Sequence, residues 1–180
     1  MVAVGECGLD LYRLPENINR AEALKKQTEV FLLEKKLADK YSLPLVIHCR
    51  DAHDELIGVL SGFGQTKGVV HCFTADRDIA KKYLDLGLNL GFTGIITFPP
   101  KKKDPKPQEE LWEVVKMTPL EKILVETDCP YLAPEAYRGK RGEPWMVEEV
   151  IKKIAELKGL GFEEVAEIST ANAKRLFERS

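Results

Sequence analysis

The sequence predicts an α/β protein built on a parallel sheet, and two regularities lead to that prediction. Apolar runs that suit buried strands alternate with stretches of helical periodicity, giving about five β-then-α units along the chain. Four of these runs lead to an acidic or imidazole side chain that is followed at once by a cysteine. The four segments are Gly5-Glu6-Cys7-Gly8, Ile47-His48-Cys49-Arg50, Val70-His71-Cys72-Phe73 and Thr127-Asp128-Cys129-Pro130.

The first unit combines a short strand with a long helix. The run Val2 to Val4 is expected to be a buried strand. A helix is predicted from about Arg20 to Tyr41, because apolar residues recur there at spacings of three and four. Ser42 and Pro44 end this helix before the next strand begins. The recurring apolar residues are Val30, Leu33, Leu37 and Tyr41.

The remaining units follow the same order. Strands are predicted at Leu45 to Ile47, Gly68 to Val70, Leu88 to Phe92 and Ile123 to Val125. Asp51 is expected to cap a helix that reaches about Phe63, and four prolines make the loop from Pro99 to Pro107 stiff and helix-free. Further helices are predicted at about Asp76 to Leu86, Gln108 to Val115, Pro144 to Ile154 and Glu163 to Arg179.

Chain length limits how many units the sheet contains. A closed TIM-type (β/α)8 barrel takes about 250 residues, whereas this chain has 180 residues. We therefore expect a single domain over residues 1–180 that forms an incomplete barrel of this kind.

Composition narrows the function classes. With 44% hydrophobic and 31% charged residues, the chain is typical of a globular protein. No apolar run approaches the roughly 20 residues of a membrane span, and no signal peptide is visible, so a cytoplasmic location is expected. The net charge of −2 does not indicate nucleic-acid binding by the whole surface, and Lys101 to Lys103 are interpreted as a solvated loop. Disulfides and a cysteine-zinc site are disfavoured, since no C-x-x-C pair occurs.

The side chains at the four strand ends suit a divalent metal. Two imidazoles and two carboxylates, from Glu6, His48, His71 and Asp128, would meet at one edge of a parallel sheet. The alternative is that they are polar residues of the core, but a buried carboxylate is costly unless it is paired or bound to metal. His53 lies in the following helix and is expected to face solvent or pack at the rim.

These segments and their neighbours resemble the TatD family of metal-dependent nucleases, within the amidohydrolase-like metal-dependent hydrolases. The matching segments span nearly the whole chain in the family's order, and the last two are quite specific. They are Val4-Gly5-Glu6-Cys7-Gly8-Leu9-Asp10, Pro44 to Arg50, Val70 to Phe73, Leu124 to Pro134 and Arg138 to Pro144.

The resemblance implies a distorted TIM-type barrel that holds up to two divalent metals, such as Mg, Mn or Zn, and cleaves phosphodiester bonds of DNA as an exonuclease. By position, Glu6 would bridge the metals, and His48 with His71 would hold one of them. Asp128 would bind the other and, with Glu6, act in catalysis by helping to activate the attacking water. Glu126 would orient a metal ligand or a basic side chain. Phosphate contacts are assigned to Arg50, Arg138, Lys140 and Arg141.

The chain also departs from the family's pattern. Family members begin with a strand carrying His-x-His, which occurs nowhere here, so the chain would correspond to the C-terminal two thirds of the barrel. We therefore expect one intact metal position and one that lacks two ligands. Self-association or a partner chain would complete the barrel. Two alternatives stay open, namely hydrolysis of an amide or ester and a non-catalytic remnant that associates through its open sheet edge.

Overall fold

The computed structural model describes residues 1–178 and confirms the α/β class. Its sheet has five parallel strands in the order β1-β2-β3-β4-β5. Within the described residues β1 and β5 are the outer strands and do not pair with each other, so the barrel is not closed. The strands are β1 (Val4–Asp10), β2 (Leu45–Arg50), β3 (Gly68–Val70), β4 (Asn89–Phe92) and β5 (Ile123–Val125).

Six α-helices are present in residues 1–178: α1 (Arg20–Tyr41), α2 (His53–Ser61), α3 (Arg77–Asp85), α4 (Lys106–Met117), α5 (Val147–Lys158) and α6 (Phe162–Phe177). Two begin with side-chain caps, since Asn19 accepts from the backbone N–H of Glu22 and Asp76 from that of Ile79. The last helix was predicted to reach Arg179, which lies outside the described residues.

Two predictions about helix starts are wrong. Asp51 does not cap α2; it adopts a left-handed backbone conformation with φ 54°, and Ala52 precedes the helix instead. The prolines near residue 106 do not exclude a helix, because α4 begins at Lys106 and contains Pro107 in its first turn. A proline is tolerated there since the backbone N–H groups of a first turn have no partner within the helix.

The longest helix packs with a different face from the predicted one. The stripe Val30, Leu33, Leu37 and Tyr41 is exposed, with 54%, 65%, 41% and 50% of each residue accessible. The buried positions are Ala23, Phe31, Lys35 and Ala38. Lys35 is accommodated because its Nζ lies 2.6 Å from Asp39 and 4.9 Å from the centre of the Phe63 ring.

Alternation along the strands divides the sheet into two faces. One face packs under the helices in the main core, with Leu9, Ile47, Leu90 and Ile123 fully buried there. The opposite face carries a smaller apolar cluster in which Val46, Val69 and Leu124 meet α6 through Leu176 and Phe177. Polar side chains follow this second face toward the carboxyl ends of the strands. Among residues 1–178, no helix combines the length and apolar character of a membrane span.

Candidate metal centre at the carboxyl edge of the sheet

Two imidazoles, one on β2 and one directly after β3, converge on a carboxylate oxygen of β1. Oε1 of Glu6 lies 3.0 Å from Nδ1 of His48 and 2.8 Å from Nε2 of His71. The two imidazole rings are tilted by 35° with centroids 5.8 Å apart. One potential ligand atom from each of the three residues lies within 4.8 Å of the others. The side chains of His48 and Glu6 are 33% and 53% exposed, so the group is open to solvent.

An irregularity in β1 brings Glu6 into this group. The strand is longer than predicted and runs through the motif, beginning at Val4 rather than Val2. Its pairing with β2 shifts between Gly5 and Cys7, which leaves Glu6 as an extra residue opposite no partner. Such a bulge re-aims a side chain. Gly8 then permits the close approach of the strands, because a Cβ there would overlap the carbonyl oxygen of His48 and its φ is +139°.

Each histidine also contacts a second carboxylate through its other ring nitrogen. Nε2 of His48 lies 3.1 Å from Oδ2 of Asp10, whose Oδ1 accepts a hydrogen bond of 2.9 Å from the backbone N–H of Tyr12. Nδ1 of His71 lies 3.5 Å from Oε1 of Glu126. A carboxylate that accepts the proton of one ring nitrogen leaves the lone pair of the other free for a metal. The predicted orienting position of Glu126 thus agrees with its contact to His71.

Glu126 is itself held in place by backbone. Its Oε1 accepts a hydrogen bond of 2.6 Å from the N–H of Cys72, the residue after His71. The hydrogen bond with Glu126 raises the pKa of His71 above its usual value, and the charges of Glu126, Glu6 and Asp128 act in the same direction against desolvation. His71 is also the more buried of the two imidazoles, with a side chain 14% exposed against 33% for His48.

Asp10 is the residue that sequence reasoning missed. It lies in the quoted segment Val4 to Asp10 but received no role, because the strand was predicted to end at Val4. Extending the alternation of β1 through the motif would have placed Asp10 two residues beyond Gly8, next to the end of β2.

Asp128 is half-buried beyond β5 and lies outside the converging group. Its charge contributes to the raised pKa of His71, so it is near that ring. Among the described residues, however, the group whose ligand atoms converge contains Glu6, His48 and His71 alone. The assignment of Asp128 to a metal therefore stays a prediction.

The four predicted phosphate contacts are exposed; Arg50 ends β2, and the other three lie in the loop after β5. The guanidinium of Arg50 stacks 3.5 Å from the centre of the Tyr12 ring. Arg138 stacks 4.3 Å from the centre of the Phe98 ring and pairs with Glu135 at 2.9 Å. Lys140 lies over Tyr137, and Arg141 pairs with Glu143 at 3.3 Å. Phosphate binding by these four residues stays a prediction.

Of the two positions expected for His53, facing solvent or packing at the rim, the structure shows the packed one. It is half-buried, its Nδ1 lies 3.1 Å from the hydroxyl of Tyr83, and its ring is close to that of Phe73. Burial lowers the pKa of this imidazole, while nearby Asp and Glu charges oppose that effect. The third histidine is therefore part of the packing between α2 and α3.

The donor set fits a divalent cation. One carboxylate oxygen and two imidazole nitrogens are ligands that Zn, Mn, Fe and related ions accept, and three protein ligands leave positions for water or substrate. Asp10 and Glu126 supply the supporting carboxylates that such imidazoles commonly have.

Residues 1–178 match the family described as TatD related DNase. The chain is 42% identical to the uncharacterized metal-dependent hydrolase YabD of Bacillus subtilis, over 98% of the chain and 65% of that protein. It is 41% identical to the uncharacterized metal-dependent hydrolase YcfH of Escherichia coli K12, over 98% and 63%. It is 36% identical to the 3'-5' ssDNA/RNA exonuclease TatD of Erwinia billingiae, over 98% and 66%.

Solved structures show the same fold. The TatD homologue YjjV from Escherichia coli K12 superposes with a TM-score of 0.83 at 30% identity, over 99% of this chain and 64% of that one. A TatD family hydrolase from Entamoeba histolytica gives 0.81 at 25% identity, over 99% and 64%. The chain thus spans a little under two thirds of the length of these relatives.

Proposed function

Because the chain belongs to the TatD related DNase family of metal-dependent hydrolases, we propose that it cleaves phosphodiester bonds of DNA. The observation that carries the proposal is the convergence of His48 Nδ1 and His71 Nε2 on Glu6 Oε1. The name of the Erwinia relative, a 3'-5' ssDNA/RNA exonuclease, supports a nucleic-acid substrate and exonuclease action.

Under this proposal Glu6, His48 and His71 would hold a divalent ion, and Asp128 would belong to a second metal position. A bound divalent ion supplies polarisation of a phosphoryl oxygen and lowers the pKa of water. Asp10 and Glu126 keep a proton on the outer nitrogen of each imidazole, so that the inner nitrogen offers its lone pair. Asp128 would accept a proton from the attacking water.

The exposed cations would bind the substrate backbone. Arg50 is the last residue of β2, and Arg138, Lys140 and Arg141 lie in the loop after β5, so these cations come from the carboxyl edge where the metal centre lies. A guanidinium offers a fork of N–H donors that matches a phosphate. Binding through such contacts is expected to weaken as salt rises.

The test is cleavage of end-labelled single-stranded DNA by the 180-residue chain with added Mg²⁺ or Mn²⁺. His71→Ala should abolish metal-dependent cleavage, and His53→Asn, at the histidine outside the centre, should retain it. Cleavage lost in His71→Ala and kept in Asp128→Ala would show that the position formed by Glu6, His48 and His71 is sufficient. Loss in both variants would support a shared two-metal centre. Metal-dependent cleavage that survives in His71→Ala, or none by the unmutated chain, would contradict the proposal.

We also propose that residues 1–180 form one domain, equivalent to the C-terminal two thirds of the family's barrel, and that a second copy or a partner chain covers its open parts. The support is the exposed stripe on α1 and the unpaired outer edge of β1. Light scattering during gel filtration tests self-association directly. A monomer at all concentrations would leave a partner chain as the form of the proposal to examine by co-purification.

A further inference from the structure

A cavity is formed in part by the segments that follow β3, β4 and β5. It encloses about 450 Å³ and is lined by side chains that include Thr74, Ile95, Phe98, Gln108, Leu132 and Arg138. We propose that this cavity, hereafter the base pocket, binds a nucleobase of a single-stranded nucleic acid. The proposal rests on the proposed function, since it assigns part of the same substrate to a site next to the metal.

The base pocket is close to the candidate metal centre along the chain. Thr74 is three residues beyond His71, and three residues of extended chain span at most about 11 Å. Leu132 follows Asp128 by four residues, and Ile95 lies in the 3₁₀ turn that follows β4. The walls of the pocket therefore come from α4 and from the loops that leave β3, β4 and β5 at their carboxyl ends. A strand whose phosphate is at the metal centre could place a neighbouring base in the pocket.

One wall of the pocket carries a stacking surface. The half-buried Phe98 lines it, and the guanidinium of Arg138 lies 4.3 Å from the centre of the Phe98 ring. Nucleobases of single strands bind proteins mainly by stacking on aromatic rings and on guanidinium planes. Ile95, Leu111 and Leu132 add apolar surface around this ring. The wall thus offers the flat, apolar contact that every base can use.

The rest of the lining matches the polar edges of a base. Gln108 is anchored from its amide nitrogen to the backbone oxygen of Ile95 at 3.2 Å, and the amide remains on the pocket surface. Thr74 contributes a hydroxyl and Asp104 a carboxylate, which accepts from exocyclic amines. Lys101 and Arg138 place positive charge at the same pocket for the adjoining phosphates. Apolar walls with a few donors and acceptors are typical of a site for a small planar group.

The walls of the base pocket are fixed by contacts within the chain. Trp112 donates from its indole nitrogen to the backbone oxygen of Ile96 at 2.8 Å. The backbone N–H of Glu135 donates to the hydroxyl of Thr97 at 2.8 Å, which ties the loop after β5 to the turn after β4. A pocket held in this way needs little rearrangement to accept a ligand, which favours binding.

The experiment measures binding of a fluorescent single-stranded oligodeoxynucleotide to the 180-residue chain in excess EDTA, so that cleavage plays no part. The comparison probe is an abasic oligonucleotide of the same length and charge. The unmutated chain should bind the normal strand roughly 5- to 100-fold more tightly, as expected for stacking of one base. Phe98→Leu, which keeps apolar bulk without an aromatic face, should remove most of this difference and leave abasic binding unchanged. Phe63→Leu, the same substitution at an exposed phenylalanine between α2 and β3, should change neither value.

Three results would overturn the base pocket. These are equal binding of the two probes by the unmutated chain, an equal loss for both probes in Phe98→Leu, and no binding of either probe. If Phe98→Leu proves unfolded by circular dichroism, the comparison of the two probes on the unmutated chain decides alone. Failure of the base pocket alone would leave the unmutated chain able to cleave DNA with metal and His71→Ala unable to do so. Failure of the proposed function would show as a different result in that cleavage assay.

Discussion

The carboxylate of Glu126 occupies the space that a side chain at Gly91 would fill. A Cβ at residue 91 would lie 2.6 Å from Oε1 of Glu126, closer than real Cβ contacts allow. The same oxygen accepts from the N–H of Cys72 and faces Nδ1 of His71. The absence of a side chain at Gly91 therefore leaves room for the Glu126 carboxylate in the position where it contacts the ring of His71.

Gly91→Ala should weaken metal binding without unfolding the chain. The added methyl group displaces the Glu126 carboxylate from His71, and loss of such a supporting group costs about 10- to 100-fold in metal affinity. Titration with Mn²⁺ or Zn²⁺ by calorimetry measures the change. Gly58→Ala is the matched control, since a Cβ there meets nothing within 4 Å. Unchanged affinity in Gly91→Ala would show that Glu126 does not orient His71.

Asp10→Asn should also reduce metal affinity, by reversing the proton positions on His48. The amide keeps an oxygen for the N–H of Tyr12 but presents N–H donors to Nε2 of His48. The imidazole proton then moves to Nδ1 and points at Glu6 in place of a lone pair. Nitrogen chemical shifts of His48 in the metal-free chain report this tautomer. The exposed Asp85→Asn should leave the shifts as they are.

Two neighbouring residues of α1 should respond very differently to truncation. Phe31 is fully buried and Leu33 is 65% exposed. Phe31→Ala should lower the free energy of unfolding by about 3–5 kcal/mol, whereas Leu33→Ala should change that of the monomeric chain by no more than about 0.5 kcal/mol. Urea unfolding followed by circular dichroism gives both values. A large loss for Leu33→Ala would indicate that its face is covered in solution.

Thiol reactivity should separate one cysteine from the other three. Burial raises the pKa of Cys7 to about 12, that of Cys49 to about 11 and that of Cys72 to about 12. Cys129 is exposed. Because the thiolate is the reactive form, a disulfide reagent at about pH 8 should titrate a single thiol quickly, and Cys129→Ser should remove that phase. A second fast thiol would contradict the packing of the strands.

His53 should make the fold less stable in mild acid. Burial lowers the pKa of its folded-state imidazole below the usual 6.5, so as pH falls through about 6.5 the unfolded chain takes up the proton first and stability decreases. Above that pH the penalty is absent. His53→Asn should therefore have a melting temperature that falls less between about pH 7.5 and 5.5. His71, with its raised pKa, acts in the opposite direction, so the difference between the two proteins is the quantity to measure.

The sequence predicts the succession of strands and helices along the chain well, because the periodicity and length of each apolar run identify its element. Strand ends carrying Glu6, His48 and His71 could be placed at one edge from the parallel arrangement, and their convergence follows from it. The bulge that selects Glu6 could not be predicted, since it depends on how β1 pairs with a strand far away along the chain.

Helix faces were harder to assign than helix positions. The bounds of α1 were predicted correctly, but its most apolar stripe lies in solvent and Lys35 lies inside. Periodicity identifies which residues share a face, and only tertiary packing decides which face is buried. Asp10 was missed for a related reason, because its role depends on the continuation of β1 through a motif that was expected at the end of the strand.

The position of Glu6 on the bulged outer strand makes metal binding depend on the pairing of β1 with the sheet. Glu6 comes from β1, whose only neighbour among residues 1–178 is β2, whereas His48 and His71 come from strands nearer the middle. A cation held by all three side chains would cross-link these parts of the sheet, and separation of β1 would release the cation. Protection of the β1 amides from hydrogen exchange should therefore increase with metal occupancy. Exchange at this outer strand would then report whether the site is assembled.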